Sequence, residues 1–407
     1  MTTYWAEHAW LPDGVATGVT LEVGDGRFTR VEPGTSPGAA SRLAGVVLPG
    51  FADVHGHAFH RALRGRTHAD GGTFWSWRQA MYVVAAGLDP DSYLALARST
   101  YTELARAGVS TVGEFHYVHH GPGGVPYQEP NAMAEALRQA AADAGVRLTL
   151  LDTCYLAGGL SADGYLPLEG VQQRFGDRDV DAWAARAADL APSEMMRVGP
   201  AVHSVRAVPA TALSTVAGFS GPLHVHLSEQ PAENEACLAY HGRTPTSLLA
   251  EHAVLSPRTT AVHGTHITPS DVDILAQTGT GVCFCPSTEA DLADGIGPAG
   301  AFRDAGIRLS LGTDQHVRAD LLAEARDLEM HQRLATGRRG IFDPAELIGA
   351  LTDHTALGWP EAGRLEPGAR ADLVAVTLDP TAEPAQVVFT ASTADIHTVL
   401  IDGRRIV

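Results

Sequence analysis

The sequence predicts a (β/α)8 barrel with a small β-sandwich domain that both chain ends build. Short β-branched runs alternate with longer helical patterns through the middle of the 407-residue chain, which is typical of parallel strands joined by helices. Strand-like runs lie at both ends, and metal-binding residue types follow several predicted strands, where barrels carry their functional residues. We expect residues 1–46 and 366–407 to form the small domain and residues 47–365 to form the barrel.

The two chain ends contain short strands around glycine turns. The alternating run 18–23 is followed by Gly24-Asp25-Gly26, which is typical of a hairpin turn. The runs 371–376 and 399–407 have the same character, with Asp402-Gly403 as a turn. We therefore expect the two ends to share one sheet.

The barrel prediction depends on eight β-branched or apolar runs with helical patterns between them. The helical patterns Asp91–Ala107 and Asn131–Ala144 are each followed by a glycine, which is a common residue after a helix C-terminus. Eight strand and helix units are the number that closes a barrel. The predicted strands lie near 46–54, 110–115, 147–153, 197–202, 222–227, 260–263, 280–284 and 308–312.

Two connections on the catalytic side of this barrel are unusually long, namely 58–88 and 155–180. Long loops on that face are commonly lids or subunit contacts, and for the segment 65–88 both interpretations stay open. The first connection carries Trp75 and Trp77, for which substrate contact and a satellite apolar cluster are equally good interpretations.

Composition limits the class of partner and the compartment. The net charge of −18 argues against nucleic acid or an anionic membrane surface, because both require a basic footprint. No run of about 18 uninterrupted apolar residues predicts a membrane span. Four cysteines with no CxxC pair and no secretory signal favour a reducing compartment, so we expect a cytoplasmic protein.

The first predicted strand ends in His55-Gly56-His57. Side chains two apart on a strand point to the same face, so both imidazoles can reach one cation. A single pair of this kind is weak evidence of a metal site, because histidines with satisfied hydrogen bonds are common in protein cores. Further ligands must come from other strands.

Other predicted strand ends supply them. The fifth strand ends in His226, with Glu229 where the chain bends over the barrel mouth, and the sixth and eighth end in His263 and Asp314. Each residue alone has a structural explanation: Asp314 could cap the next helix, and the nearby His224 and His266 could be core residues. Together, because all lie at predicted strand C-termini, they favour a metal-dependent hydrolase.

This order of residues resembles the mononuclear-metal deaminases of the amidohydrolase superfamily. Longer stretches that cover essentially the whole chain resemble, within it, the formimidoylglutamate deiminases of histidine degradation. The His-x-His and Asp features are common to the superfamily, whereas the Glu-Phe-His-Tyr-x-His-His and His-Ser-x-Arg-Ala-Val stretches are much more selective. The stretches are His57-Ala58-Phe59, Phe74–Arg78 with Met81-Tyr82, Glu114–His120, His203–Val208 and His226–Gln230.

The resemblance implies a zinc ion and its chemistry. Zinc would be held by His55, His57, His226 and Asp314, with a water completing the coordination that a hydrolytic metal needs. Glu229 would take the proton of that water and pass it to the leaving nitrogen. His263 and Asp314 would orient the water or the tetrahedral centre. Iron or manganese also suits imidazole and carboxylate ligands, so the native metal stays open.

The resemblance also implies a substrate, N-formimidoyl-L-glutamate, with ammonia and N-formyl-L-glutamate as products. Tyr117, His203 and Arg206 match positions of the family that bind it, and Arg78 is a further candidate for a carboxylate, which a guanidinium can bind bidentately. His60 stands where many family members have Gln, and it differs from Gln in being able to take a charge.

Alternatives to this interpretation stay open. The chain could be a guanine or adenosine-type deaminase of the same superfamily, or a metal-binding homologue without activity, although Glu229 is not needed merely to bind a metal. Arg206 could instead form a structural ion pair. Cleavage of the other C–N bond would give glutamate and formamide. A homodimer is the commonest assembly and is our expectation.

Overall fold

The computed structural model describes residues 1–68 and 72–407 of the chain. Strands and helices alternate through its middle part. The strands are β1 (Thr2–Leu11), β2 (Gly14–Gly24), β3 (Arg27–Glu32), β4 (Ser41–Pro49), β5 (Phe51–Gly56), β6 (Val109–His116), β7 (Arg147–Cys154), β8 (Gly159–Ser161), β9 (Gly164–Leu166), β10 (Met196–Val202), β11 (Leu223–Leu227), β12 (Thr259–His263), β13 (Gly281–Phe284), β14 (Leu309–Leu311), β15 (Leu373–Val376), β16 (Ile396–Ile401) and β17 (Arg404–Arg405). The α-helices are α1 (Phe74–Ala86), α2 (Pro90–Arg106), α3 (Ala132–Ala144), α4 (Val180–Ala188), α5 (Ala210–Ala217), α6 (Pro231–His241), α7 (Pro245–Glu251), α8 (Pro269–Thr278), α9 (Pro286–Asp291), α10 (Ala299–Asp304), α11 (Leu321–Thr336), α12 (Pro344–Leu351) and α13 (Val387–Thr390).

Eight parallel strands form the nearly closed barrel that the sequence predicts. Their order is β5-β6-β7-β10-β11-β12-β13-β14, the order in which they occur along the chain. The ring closes beyond β14, where Gly56 and Asp314 form a parallel bridge. The Asp314 N–H donates to the His55 carbonyl at 2.9 Å, and the His57 N–H donates to the Asp314 carbonyl at 3.1 Å. Barrel closure therefore places the ends of the first and last strands side by side.

Strands from both chain ends share a separate sheet, as the sequence predicts. Its order is β17-β16-β15-β4-β1-β2-β3, with β4 parallel to β1 and antiparallel to β15. Because β4 bonds to strands from both ends, the hydrogen bonds run without a break through one seven-stranded sheet. The expected β-sandwich is thus a single sheet with its own apolar cluster, which includes Leu21, Val47 and Leu373.

The predicted strand near 46–54 is divided between the two sheets. β4 ends at Pro49 in the small sheet and β5 begins at Phe51 in the barrel. Gly50 lies between them, and a Cβ there would come within 2.6 Å of the Asp372 Cβ and 2.7 Å of the Ser110 Oγ. A continuous apolar run does not show where a strand passes from one sheet to another. The predicted domain limits, 1–46, 47–365 and 366–407, stay predictions.

The helices follow the local patterns closely. α2 begins after the N-cap Asp89, whose carboxylate accepts from the Ser92 N–H at 2.8 Å, and α3 ends before Gly145, which has a φ of 76°. Both lie within a residue or two of the predicted helices. Among the described helices, none has the length and apolar character needed to cross a membrane.

The two long connections pack against each other over the barrel mouth. Within the first, residues 69–71 lie outside the described residues. The other long connection, 155–180, contains the β8–β9 hairpin and the buried Arg174, which donates to the carbonyls of Ala85 and Leu88 at the end of α1. Gln172 donates to the hydroxyls of Tyr82 and Tyr155 at 3.1 and 3.2 Å. These contacts from the segment 155–180 hold α1 beside the mouth. Whether 65–88 is a lid or a subunit contact stays open.

Candidate metal centre and active site

Three imidazoles and one carboxylate converge at the C-terminal mouth of the barrel. The Nε2 atoms of His55 and His226 lie 3.1 Å apart. Asp314 Oδ1 lies 3.6 Å from His55 Nε2 and 3.3 Å from His57 Nε2. All four side chains are buried. The structure therefore brings together the four residues that the sequence analysis gave as metal ligands.

The hydrogen bonds of this cluster fit a divalent cation. His57 Nδ1 donates to the Phe115 carbonyl and His226 Nδ1 donates to the His203 carbonyl, each at 2.9 Å. In a neutral ring the Nε2 atom then carries a lone pair. His57 Nε2 therefore faces Asp314 Oδ1 as one acceptor faces another, an arrangement that a shared cation stabilises. Three imidazoles and one carboxylate are a ligand set that suits zinc.

The backbone at the strand ends is strained where it presents the functional side chains. Ser228, His263 and Asp314 have φ values of 51°, 70° and 46°, in the left-handed region that disfavours residues with a side chain. Asp53 fixes one of these turns, because its carboxylate accepts from the Thr313 N–H at 2.8 Å and from the Thr313 hydroxyl at 2.7 Å. Asp314 thus points at the cluster and does not cap a helix.

Glu229 and His263 lie next to the cluster. Glu229 Oε1 is 3.8 Å and Asp314 Oδ2 is 3.9 Å from His263 Nε2, and Glu289 Oε1 is 3.4 Å from His263 Nδ1. Burial opposes the charged imidazolium, but the three carboxylates raise the pKa of His263 to about 10. Burial raises the pKa of Glu229, against the lowering effect of His263 and Arg206. Glu229 and His263 therefore influence each other's pKa beside the four predicted ligands.

The pKa of Asp314 lies well below its usual range. Burial alone would raise this pKa. The hydrogen bond to His55 and the positive charge that His55, His57 and His263 can carry lower it by more than burial raises it. Asp314 is thus an anion in this setting, as a carboxylate ligand must be.

A cavity of about 260 Å³ opens onto this cluster. His60 and Tyr117 line it, with His60 Nε2 and the Tyr117 hydroxyl 2.9 Å apart. Trp77 also lines it, and its buried Nε1 has no hydrogen-bond partner among the described residues, while Trp75 lines the mouth and is half exposed. The cavity therefore offers an apolar wall with several polar atoms, an arrangement that fits a small polar ligand.

Two arginines reach the cavity in different surroundings. Arg78 has its guanidinium 5.6 Å from the Trp75 ring and 5.2 Å from the Tyr82 ring, with no ion pair among the described residues. Arg206 Nε donates to Glu233 at 2.9 Å, and its Nη2 lies 3.5 Å from Glu229. The ion-pair alternative for Arg206 is therefore present in the structure, but the pair forms inside the cavity.

The remaining candidates divide clearly. His203 lines the cavity and its ring packs against Tyr155 at 4.5 Å between ring centroids. His224 is buried in β11, 3.1 Å from the Ala356 carbonyl, and His266 lies 2.8 Å from the Asp294 carbonyl. Neither of these two lines the cavity, which agrees with a structural role.

Two carboxylates of the site were not among the residues predicted from the sequence. Glu289 contacts His263 from α9, and Glu233 contacts Arg206 from the first turn of α6. Glu233 follows Glu229 by four residues and lies close to the end of β11. Its position near a predicted strand end was therefore a local sign that it could belong to the site. Glu289 had no such sign, because only the folded barrel brings α9 to β12.

Comparison with known proteins agrees with this site. A model of the Amidohydrolase family matches residues 46–406, so the chain belongs to the amidohydrolase family. It is a hydrolase of C–N bonds, in a metal-dependent family whose sites contain histidine and aspartate.

Individual relatives sharpen the comparison. Formimidoylglutamate deiminase of Pseudomonas aeruginosa is 36% identical, and the alignment covers all of this chain and 95% of that protein. The 8-oxoguanine deaminase of the same organism is 29% identical over 88% of this chain and 82% of its own length. A crystal structure described as an amidohydrolase from Brucella melitensis superposes with a TM-score of 0.89 at 31% identity and covers 100% of this chain and 94% of that chain. Similarity to the nucleobase deaminase is weaker than that to the deiminase.

Proposed function

We propose that the protein hydrolyses N-formimidoyl-L-glutamate to N-formyl-L-glutamate and ammonia, as a step of histidine degradation. The observation that carries the proposal is a single cavity with the histidine and aspartate cluster beside Glu229 and with two guanidinium groups, those of Arg78 and Arg206. A linear amidine with two carboxylates matches these groups at both ends. The full-length similarity to a formimidoylglutamate deiminase supports the same substrate.

We propose that His55, His57, His226 and Asp314 hold one divalent cation, with zinc as the first candidate and iron or manganese as alternatives. When bound, such a cation polarises the reacting group and lets water ionise near neutral pH. The hydrogen bonds from His57 and His226 to backbone carbonyls hold their rings in the orientation that the ligand set needs.

Glu229 carries the protons of the reaction in this proposal. It accepts one proton from the attacking water and passes it to the amidine nitrogen, then takes the proton of the resulting tetrahedral hydroxyl and passes it to the same nitrogen. That nitrogen leaves as ammonia as the C–N bond breaks, so one water is consumed and a formyl C=O replaces C=NH. His263 Nε2 lies 3.8 Å from Glu229 Oε1 and 3.9 Å from Asp314 Oδ2, so His263 and Asp314 both face the space beside Glu229 in which the tetrahedral centre would form. They hold that centre by hydrogen bonds during the proton transfer.

The rest of the cavity binds and orients the substrate. We assign Arg78 and Arg206 to its carboxylates and His60, Tyr117 and His203 to polar contacts along its length, since all five line the cavity. The hydrogen bond between His60 and Tyr117 fixes both side chains before substrate arrives. A planar nucleobase would leave the charge of Arg78 without a counterion, because no acidic side chain pairs with it among the described residues.

Ammonia release by the metal-loaded protein tests this function. N-formimidoyl-L-glutamate should be the best substrate in a panel that includes guanine, 8-oxoguanine and adenosine, and mass spectrometry should identify N-formyl-L-glutamate. A nucleobase as the best substrate would replace the proposal with the deaminase alternative. Glutamate and formamide as products would show that the other C–N bond breaks. No turnover of any compound by protein with its full metal content would show a non-catalytic homologue.

We further propose that the protein works as a cytoplasmic homodimer on small molecules, without nucleic acid or membrane partners. The net charge of −18 supports the absence of both partners, and four free buried cysteines support a reducing compartment. A cyclic dimer is the commonest assembly among soluble oligomeric proteins. Light scattering on the purified chain should give twice the mass of 42.8 kDa.

A further inference from the structure

One carboxylate connects substrate binding to the proposed base. Glu233 lies in the first turn of α6, and its side chain is fully buried. Its Oε2 accepts from Arg206 Nε at 2.9 Å, and its Oε1 accepts from the Ser228 N–H at 3.0 Å. Ser228 is the residue before Glu229, so one carboxylate holds both the cavity arginine and the backbone that carries the base.

Arg206 lies between two carboxylates at unequal distances. Glu233 takes its Nε edge at hydrogen-bond distance, while Glu229 Oε2 is 3.5 Å from Nη2. The attraction between unit charges grows as their distance falls and as water is excluded, and all three side chains are buried or nearly so. Glu233 therefore sets the direction of the guanidinium and leaves its Nη groups for other acceptors. In its absence, Glu229 would be the nearest carboxylate to Arg206.

The contact with Ser228 acts on the same loop from the backbone side. Ser228 has a φ of 51°, which is unfavourable for a residue with a side chain and persists only where its surroundings hold it. The bond from its N–H to Glu233 also satisfies a buried donor that the end of β11 leaves without a ladder partner. The turn that aims Glu229 at the cluster thus depends on the same side chain.

We propose that Glu233 is a positioning residue that holds Arg206 ready for a substrate carboxylate and keeps it from pairing with the base Glu229. The inference rests on the proposed function, because Arg206 is taken to bind the dicarboxylate. Glu233 itself does not contact substrate in this scheme. It acts through Arg206 and through the Ser228 turn.

The substitution Glu233→Gln separates these two contacts. The amide oxygen can still accept from Ser228, but the charge that holds Arg206 is lost. We expect kcat/KM for N-formimidoyl-L-glutamate to fall by roughly 10- to 100-fold, the usual worth of a hydrogen bond to a charged group. For an N-alkylformamidine, which lacks both carboxylates, the loss should be smaller and should appear in kcat, because it comes only from Arg206 pairing with Glu229. The additional substitution Arg206→Met should restore that kcat.

The substitution Glu329→Gln is a matched control. Glu329 is also fully buried and bridges an arginine and the backbone, because it accepts from Arg333 Nε at 2.7 Å and from the N–H groups of Gly340 and Phe342 at 2.8 Å. It does not line the cavity. We expect Glu329→Gln to lower stability by a similar amount but to leave the ratio of kcat/KM for the two amidines as in the wild type.

A double-mutant cycle completes the test. With Arg206→Met in place, adding Glu233→Gln should change kcat/KM for the dicarboxylate by less than about threefold, because the group that Glu233 positions is gone. A Glu233→Gln protein with a wild-type ratio for the two amidines, or with a loss on the N-alkylformamidine that Arg206→Met does not reverse, would overturn the inference while the wild-type activity stands. A wild type that releases no ammonia from N-formimidoyl-L-glutamate would instead overturn the proposed function, and the inference with it.

Discussion

His55 lies near the end of the first barrel strand and Asp314 just after the last, so removal of either one should open the predicted metal site. We expect His55→Ala and Asp314→Ala to lose metal and activity together, with metal affinity at least about 100-fold weaker, since changes to the partners of ligands alone cost 10- to 100-fold. Elemental analysis after dialysis, with ammonia release on the same samples, measures both. A His55→Ala protein with full metal and full turnover would contradict the assignment.

His224 provides the control for that experiment. It is a buried histidine of the same barrel, but its Nε2 lies 3.1 Å from the Ala356 carbonyl and it does not line the cavity. His224→Ala should therefore lower the melting temperature while the purified protein keeps its metal and most of its kcat. Loss of metal from this variant at a rate like that of His55→Ala would mean that the cluster extends further into the barrel.

Glu229→Gln tests proton transfer apart from metal binding. Gln keeps the shape and hydrogen-bonding capacity of the side chain but cannot accept the proton, so kcat should fall by about 10²- to 10⁴-fold with unchanged metal content. The rate of ammonia release by wild type and Glu229→Gln, each with its metal content measured, gives the two kcat values to compare. Near-native turnover would remove Glu229 from the mechanism, and loss of metal would make it a ligand.

At the level of single residues, the sequence allowed prediction of the side chains that sit on strand ends. His55, His57, His226, His263 and Asp314 follow β-branched runs, and a strand end fixes where a side chain points. The partners that orient them were not predictable, because contacts such as Glu289 with His263 join α9 to β12. Such contacts depend on how the helices pack around the barrel, and the local sequence pattern carries no information about that packing.

Among the elements, the seam between β5 and β14 leaves no room for an additional Cβ. A Cβ on Gly312, just after β14, would come within 2.5 Å of the His55 carbonyl oxygen and 2.9 Å of the His55 Cβ. Gly312→Ala should therefore push the two strand ends apart and destabilise the fold by about 1–3 kcal/mol, as overpacking does. It should also weaken metal binding although no ligand is changed. Urea unfolding and metal titration measure the two effects.

Gly349 is the matched position without crowding. It is an exposed residue inside α12, where a Cβ would meet no atom within 4 Å. Gly349→Ala should stabilise the protein by about 0.5–1 kcal/mol through helix propensity and leave the metal affinity unchanged. If Gly312→Ala behaved in the same way, the seam would be looser than the structure indicates.

The elements themselves were largely predictable, and their connections were less so. The strands of the barrel and the helices α2 and α3 follow local rules of periodicity and capping, and the predicted bounds agree with the structure. The division at Gly50 and the pairing of β4 with β15 depend on neighbours more than three hundred residues further along the chain, beyond the whole barrel. Local pattern therefore gave the strands but not the sheet to which each one belongs.

At the scale of the whole molecule, a buried ion pair joins the barrel to the small sheet. Arg147, at the start of β7, bonds to both oxygens of Asp372, just before β15, and to Asp402 at 3.0 Å. Both Arg147 and Asp372 are almost completely buried. Burial alone raises the pKa of Asp372, but the charge of Arg147 outweighs it and holds that pKa below its usual value.

The substitution Asp372→Asn should show how much this pair contributes. Removal of one partner leaves a buried charge, so we expect a loss of about 3–5 kcal/mol of unfolding free energy at pH 7. Since the folded-state pKa of Asp372 is lowered, its contribution is present above the unfolded pKa of about 4 and is lost as pH falls through the folded value. Urea unfolding at pH 7 and at pH 3.5 should show the difference between wild type and variant shrinking in acid. A difference that is constant with pH would contradict the pairing.

The bridge between Gly56 and Asp314 also sets an order of events during synthesis of the chain. Its two partners are roughly 260 residues apart, so the ring cannot close until most of the polypeptide has left the ribosome, and closing so long a loop is slow. β4 has the same problem, because β15 follows later still. The growing chain thus carries two unpaired strand edges for most of its translation, and such edges recruit other chains. Slow translation at a high concentration of nascent chains should therefore favour aggregation. In the finished protein both pairings are made, so these two strand edges are no longer available to other chains.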